Sequence, residues 1–201
     1  MLCNRFIMIV FVILILFAVS SASVAGEPTE DIRKTTDRII AVVTDPGLKE
    51  ADKAREKSRQ IRNVVDERFD WEEMSKRTLA RHWKDRTQNE KKEFIDLFGN
   101  LLERTYLDKV EGYSGEKVLY VDEKVEGKYA IVSVRIVTRQ ETEVQVDYRL
   151  KKKGEEWLVY DISIEGVSLV NNYRKQFDSI MSRSSYKDLI EKLRSKVEGQ
   201  N

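Results

Sequence analysis

The chain has 201 residues, with 36 Lys and Arg against 35 Asp and Glu, a formal charge of +1, one histidine and one cysteine. Near-neutrality with mixed signs gives no electrostatic footprint for nucleic acid or for strong adhesion to anionic lipid. A single histidine excludes a metal site or nucleophile that needs two histidines from one chain, and a single cysteine excludes an internal disulfide.

Residues 1–25 differ from the rest: Arg5 is their only charge, and Phe6 to Val19 is an almost unbroken apolar run. This is the h-region of a secretory signal, and Ser23 and Ala25 satisfy the small-x-small rule for cleavage before Gly26. An uncleaved anchor is the alternative, but the run falls short of the ~20 residues a spanning helix needs. Cys3 leaves with the signal, as does the charge of Arg5. Residues 26–201 then form a neutral chain of ordinary single-domain size, undivided by any Pro-, Gly- or Ser-rich linker or repeat.

In chain order, Ile32, Ile39, Ile40, Val42 and Val43 predict an amphipathic helix over 29–44, stopped by Asp45, Pro46 and Gly47. A second helix is expected over 49–69, polar early and anchored late by Ile61, Val64, Val65 and Phe69. Asp70 and Glu73 have the spacing of a capping box before a short helix carrying Met74, Leu79 and Trp83. Thr87 and Glu90 repeat that spacing and open the strongest helix, with Phe94, Leu97, Phe98, Leu101, Leu102, Thr105 and Tyr106 along one broad face.

After Gly112 and Gly115 the apolar period falls to two and β-branched residues take over. Strands are expected over 117–125, 128–139, 142–152 and 156–165, with short connections that imply an antiparallel meander. Val144, Val146, Tyr148 and Leu150 alternate with Glu143, Gln145, Asp147 and Arg149, and Ala130, Val132, Val134 and Ile136 match them on the neighbouring strand. That apolar face needs a cover of helices. Ser168 can cap a helix striped by Leu169, Val170, Tyr173, Phe177, Ile180 and Met181, and a last helix carries Leu189, Ile190, Leu193 and Val197. The class is α+β.

Chemistry is scarce. His82 stands alone, and the chain has no phosphate-cradling GxxxxGK[ST], dinucleotide GxGxxG or nucleophile-elbow GxSxG pattern. Asp147, Asp161 and Glu165 could supply a buried general base, but Asp147 falls on the wet face and the other two sit where salt bridges and caps are common. The apolar stripes suit an ordinary core as well as a lined cavity.

The segment from Trp157 through Tyr160, Asp161, Glu165, Gly166, Val167, Ser168, Leu169, Val170, Asn172, Tyr173, Arg174, Gln176 and Phe177 resembles the signature of the MlaC or toluene-tolerance family. It reads W-x-V-Y-D, then E-G-V-S-L-V-x-N-Y-R-x-Q-F. Leu79, Trp83, the Thr87–Glu90 box and the long-helix face resemble the family's helical half. One departure is Ala80-Arg81, where a glycine often follows the leucine.

The resemblance implies an NTF2-like α+β fold, with helices packed on one face of a four-stranded antiparallel sheet around an apolar pocket for phospholipid tails. It implies a monomeric, non-enzymatic periplasmic carrier without cofactor, whose cargo is phospholipid. Its partners would be an inner-membrane ABC transporter with an MCE-domain subunit and an outer-membrane lipoprotein with its porin. Together these maintain outer-membrane lipid asymmetry and, in some bacteria, solvent tolerance. The expected tail contacts are Val132, Val134, Ile136, Val144, Val146 and Tyr148 from the sheet, with Phe98, Leu101, Leu102, Tyr106, Val167, Val170 and Tyr173 from the helical half. An NTF2-like enzyme acting on an apolar substrate, and a structural adaptor with a solid core, are the alternatives.

Overall fold

A computed structural model describes residues 28–199; the signal segment expected over 1–25 and the cleavage expected before Gly26 lie outside them. Helix α1 (Pro28–Thr44) buries Pro28, Ile32 and Thr35. It stops where the Asp45 carboxylate accepts from Gly47 N at 2.8 Å and starts a 3₁₀ turn, Pro46–Leu48. The expected second helix begins late: a further 3₁₀ turn, Ala51–Lys53, precedes α2 (Ala54–Arg68). The polar run from Lys49 to Lys57 offers no apolar face to hold helix against tertiary structure. Ile61 and Val64 are the buried anchors.

Phe69 leaves α2 in extended conformation and bridges Val159, with Asp70 N donating to Val159 O at 2.9 Å. Asp70 caps α3 (Trp71–Leu79) by accepting from Glu73 N at 3.0 Å. The box is not closed from the other side, because the Glu73 carboxylate instead meets Arg77 at 2.8 Å and Lys151 at 3.0 Å. Thr87 and Glu90 do close a reciprocal box at the start of α4 (Gln88–Glu111), at 2.7 and 3.2 Å.

The sheet follows as β1 (Lys117–Glu126), β2 (Tyr129–Val137), β3 (Glu143–Lys153) and β4 (Glu156–Ile164), antiparallel and in sequence order. A two-residue β5 (Val167–Ser168) pairs with β4, so the expected four strands are five. Helices α5 (Leu169–Arg183) and α6 (Tyr186–Glu198) close the chain, capped by Ser168 and by a Ser185–Asp188 box. Among the described residues no helix is long and apolar enough to cross a membrane.

The α+β class is as expected, and the helices divide between two positions. Ile32 of α1 packs into a cluster with Ala130, Val132, Val134, Leu150, Trp157 and Val159, the apolar face of the sheet. Helices α3 to α6 build a separate cluster around Met74, Leu79, Phe94, Phe98, Phe177 and Leu189. This bundle meets β4 on the opposite parity: Arg77 stacks over Tyr160 at 4.1 Å, and Lys151, whose neighbours on β2 and β4 are Tyr129 and Leu158, pairs with Glu73. Phe69 packs against both clusters.

Candidate functional site

The inner face of the sheet is apolar across four strands, except at Glu123 of β1, which stands opposite Val132. The register sets Ala130 opposite Leu150, Val132 opposite Tyr148, Val134 opposite Val146 and Ile136 opposite Val144. Outside these, Val118 and Tyr120 of β1 and Ile162 and Ile164 of β4 continue the rows. A bulge keeps β4 in phase: Arg149 pairs with Asp161 and Leu150 with Val159, so Tyr160 is the extra residue. Trp157 and Val159 therefore share a face with Ile162 and Ile164, and Asp161 is turned away from it.

Cover over this face is uneven. Near the middle Val132, Val134, Leu150 and Val159 are at most 1% exposed, whereas Ile136, Val144, Tyr148, Ile162 and Ile164 are only half-buried. The cover itself is lightly anchored by hydrocarbon. Pro28 and Ile32 are the only buried apolar side chains of α1, while Ile39, Ile40, Val42 and Val43 are half-buried. Polar ties do the rest: Asp31 pairs with Arg68 at 3.1 Å, Arg68 Nε donates to Thr35 Oγ1 at 3.1 Å, Arg38 pairs with Glu67, and Thr29 N donates to Glu123 at 2.7 Å. One buried isoleucine is worth about 1.5–3 kcal/mol, so parting α1 from the sheet exposes little apolar surface of the helix.

The thirteen expected contacts do not line one space. Phe98, Leu101, Leu102, Val170 and Tyr173 are buried in the helical cluster, with Tyr106 half-buried at its side. Val132, Val134, Ile136 and Tyr148 belong to the sheet cluster, and Val144 and Val146 share their face by register. Val167 is 57% exposed on the edge strand β5. Periodicity marked all of them but Val167, which came with the resemblance alone, as apolar-facing, and it carried no information on which partner element lies opposite.

Two surface depressions are lined mainly by charged residues. One, of about 210 Å³, is lined by Asp70, Glu72, Glu73, Lys76, Lys151, Lys152 and Lys153; the other, of about 390 Å³, by Asn89, Lys92, Glu93, Asp96 and Leu97. Neither is bordered by any of the thirteen residues.

The carboxylates that could have supported catalysis have structural bonds. Asp147 accepts from the Ser133 hydroxyl at 2.7 Å on the outer face. Asp161, buried, accepts from Ser168 Oγ at 2.6 Å and from Val170 N at 3.0 Å, fastening the start of α5 to β4. Glu165 accepts from Gln145 N.

Two tyrosine hydroxyls lie in the apolar layer, that of Tyr148, expected there, and that of Tyr120, which the pattern reading did not single out. Tyr120 is half-buried, yet its hydroxyl is fully enclosed and makes no well-formed hydrogen bond among the described residues, although the Thr36 hydroxyl is near enough to act on it. The nearby Thr36 hydroxyl donates instead to Ile32 O at 2.9 Å. An enclosed hydroxyl without a well-formed hydrogen bond costs about 1–3 kcal/mol. Burial pushes the Tyr120 hydroxyl above its ordinary pKa, with Thr36 and Arg33 opposing. Tyr148, whose hydroxyl is close enough to feel that of Tyr120, is pushed up to about 12, first by burial. Both tyrosines are neutral at any physiological pH.

Fold and site define an α+β domain built on an antiparallel sheet with one apolar, incompletely covered face. The chain belongs to the MlaC family, whose model matches residues 33–195. It is 25% identical over 138 residues to the intermembrane phospholipid transport system binding protein MlaC of Haemophilus influenzae, an alignment covering 66% of this chain and 64% of that protein. A phospholipid-binding protein from Ralstonia solanacearum, solved in complex with a phospholipid, superposes with a TM-score of 0.76 over 87% of this chain and 98% of its own, at 24% identity.

Proposed function

We propose that this protein is a periplasmic phospholipid carrier, exported by a signal cleaved before Gly26, that catalyses no reaction. The observation that carries this reading is the apolar inner face that runs from Val118 and Tyr120 of β1 to β4, half-buried at Ile136, Val144, Tyr148, Ile162 and Ile164. Family membership and the phospholipid named for both relatives support it. Acyl chains would lie on this face beneath α1, which is held by polar ties that can be exchanged.

The energetics suit a carrier. Sheltering hydrocarbon is worth about 0.8 kcal/mol per methylene, so two chains of ~16 carbons represent on the order of 25 kcal/mol. A carrier must nearly match what a bilayer offers, and a face that opens to lipid and closes without it does so without leaving apolar surface in water. A passive site only equilibrates with its donors and acceptors. Direction must come from partners, for which we propose an inner-membrane ABC transporter with an MCE-domain subunit and an outer-membrane lipoprotein with its porin. The cellular outcome would be maintenance of outer-membrane lipid asymmetry, with solvent tolerance as a consequence.

The test is solvent extraction of the purified protein and mass spectrometry of what it holds. Phospholipid in near-equimolar amount is expected. Protein that carries none, even after incubation with phospholipid vesicles, would contradict the reading.

A further inference from the structure

The inner face of the sheet carries charge at its margins, at Glu123 opposite Val132 and at Lys152 opposite Trp157; between them its polar groups are two tyrosine hydroxyls, and that of Tyr120 is enclosed without a well-formed hydrogen bond among the described residues, the Thr36 hydroxyl lying near it. Tyr120 stands opposite Val134, and Tyr148 opposite Val132. A phenylalanine at 120 would fill the same volume without enclosing a hydroxyl that lacks a well-formed hydrogen bond. Directly above the Tyr120 ring lies Arg33 of α1, its guanidinium carbon 4.1 Å from the ring centre and its side chain 46% exposed. Its ion pair with Glu30 is long, at 3.6 Å, and exposed on both sides, an arrangement worth little and readily exchanged. Asp37 and Glu30 are the other charges that act on the Tyr120 hydroxyl.

From the sheet outward the groups therefore run hydrocarbon, then an enclosed hydroxyl donor, then a cation at the solvent boundary. A glycerophospholipid has the same order: acyl chains, ester carbonyls, phosphate. We propose that Tyr120 and Arg33 form a polar rung above the tail site, Tyr120 Oη donating to an acyl ester carbonyl and Arg33 holding the phosphate of the same lipid. This rests on the carrier reading and deepens it, assigning the ligand class as ester-linked phospholipid. A guanidinium fork matches two phosphate oxygens, and stacking on an aromatic ring fixes its plane. Whatever is esterified beyond the phosphate projects into water, so the site reads the part that all phosphoglycerides share and is indifferent to the headgroup.

The test loads the purified protein from vesicles that contain ester-linked phosphatidylglycerol, its ether-linked analogue, or diacylglycerol, and quantifies bound lipid by mass spectrometry. Tyr120→Phe is expected to hold ester-linked phosphatidylglycerol about 3- to 10-fold less well, with the ether analogue unchanged because it lacks the carbonyls. Arg33→Gln should lower both phospholipids by a similar factor and leave diacylglycerol unchanged, and excess inorganic phosphate should not displace the lipid. The melting temperature of Tyr120→Phe should equal or exceed that of the parent, which separates loss of a ligand contact from loss of fold. Wild-type protein that takes up no phospholipid would overturn both the carrier reading and the rung. Normal uptake by wild type with unchanged uptake by both variants, or equal losses across all three lipids, would overturn the rung and leave the carrier standing.

Discussion

The two apolar clusters are built to different standards. In the helical cluster Phe98 sits 5.3 Å from Tyr173, 5.8 Å from Phe94 and 5.9 Å from Phe177. Phe177 also meets Phe94 edge to face, and all four rings are at most 8% exposed. Side-chain caps at the starts of α3 to α6 and the buried Asp161 fasten its ends. The sheet cluster has a tight centre, a half-buried end and a cover helix whose buried apolar anchors are only Pro28 and Ile32. Dense packing of the first kind specifies a single state, because every displaced methylene is felt. The second kind tolerates displacement. One half is a frame, and the other can accept cargo.

Substitution on each side tests that contrast. The largest expected effect is on the frame: Phe98→Ala should lower stability by about 3–5 kcal/mol, seen in denaturant melts, with lipid content lost only as the fold is lost. Val144→Arg attacks the adaptable half. An arginine stem there can lie along the sheet and bring its charge to water, so the cost should be about 1 kcal/mol while extracted phospholipid drops at least about tenfold. Equal stability losses at the two positions would erase the distinction. The smallest effect belongs to neither cluster. Ala80 has φ of 49° and ψ of −117°, a region nearly confined to glycine. Ala80→Gly should raise stability by about 0.5–1 kcal/mol, relieved strain outweighing the added chain entropy, with no change in lipid content.

Ala80 is legible only through the family resemblance, where Ala80-Arg81 is the one departure from the expected pattern. The caps at Asp70, Thr87 and Ser168 and the alternation in β2 and β3 are legible directly, because each is a local rule written in neighbouring residues. What escapes the sequence is non-local. The bulge at Tyr160 reverses the parity of β4, so a strict period of two puts Asp161 with Val159 and misses Ile162 and Ile164. The late start of α2 reflects the lack of apolar anchors from Lys49 to Lys57. Phe98 and Val134 look alike as core-facing residues, and only the path of β4 between the two layers assigns them to different clusters. Tyr120 and Arg33 are joined only by the way α1 lies across β1, which no spacing within either element records.

The most direct measurement is photocrosslinking with a phospholipid that carries a photoreactive group on one acyl chain, followed by peptide mapping. The account predicts adducts on the inner-face residues of β2 to β4, foremost at Ile136, Val144, Tyr148 and Ile162. Adducts concentrated instead on the α3 to α6 bundle, or on outward positions such as Ser133 and Arg149, would contradict it.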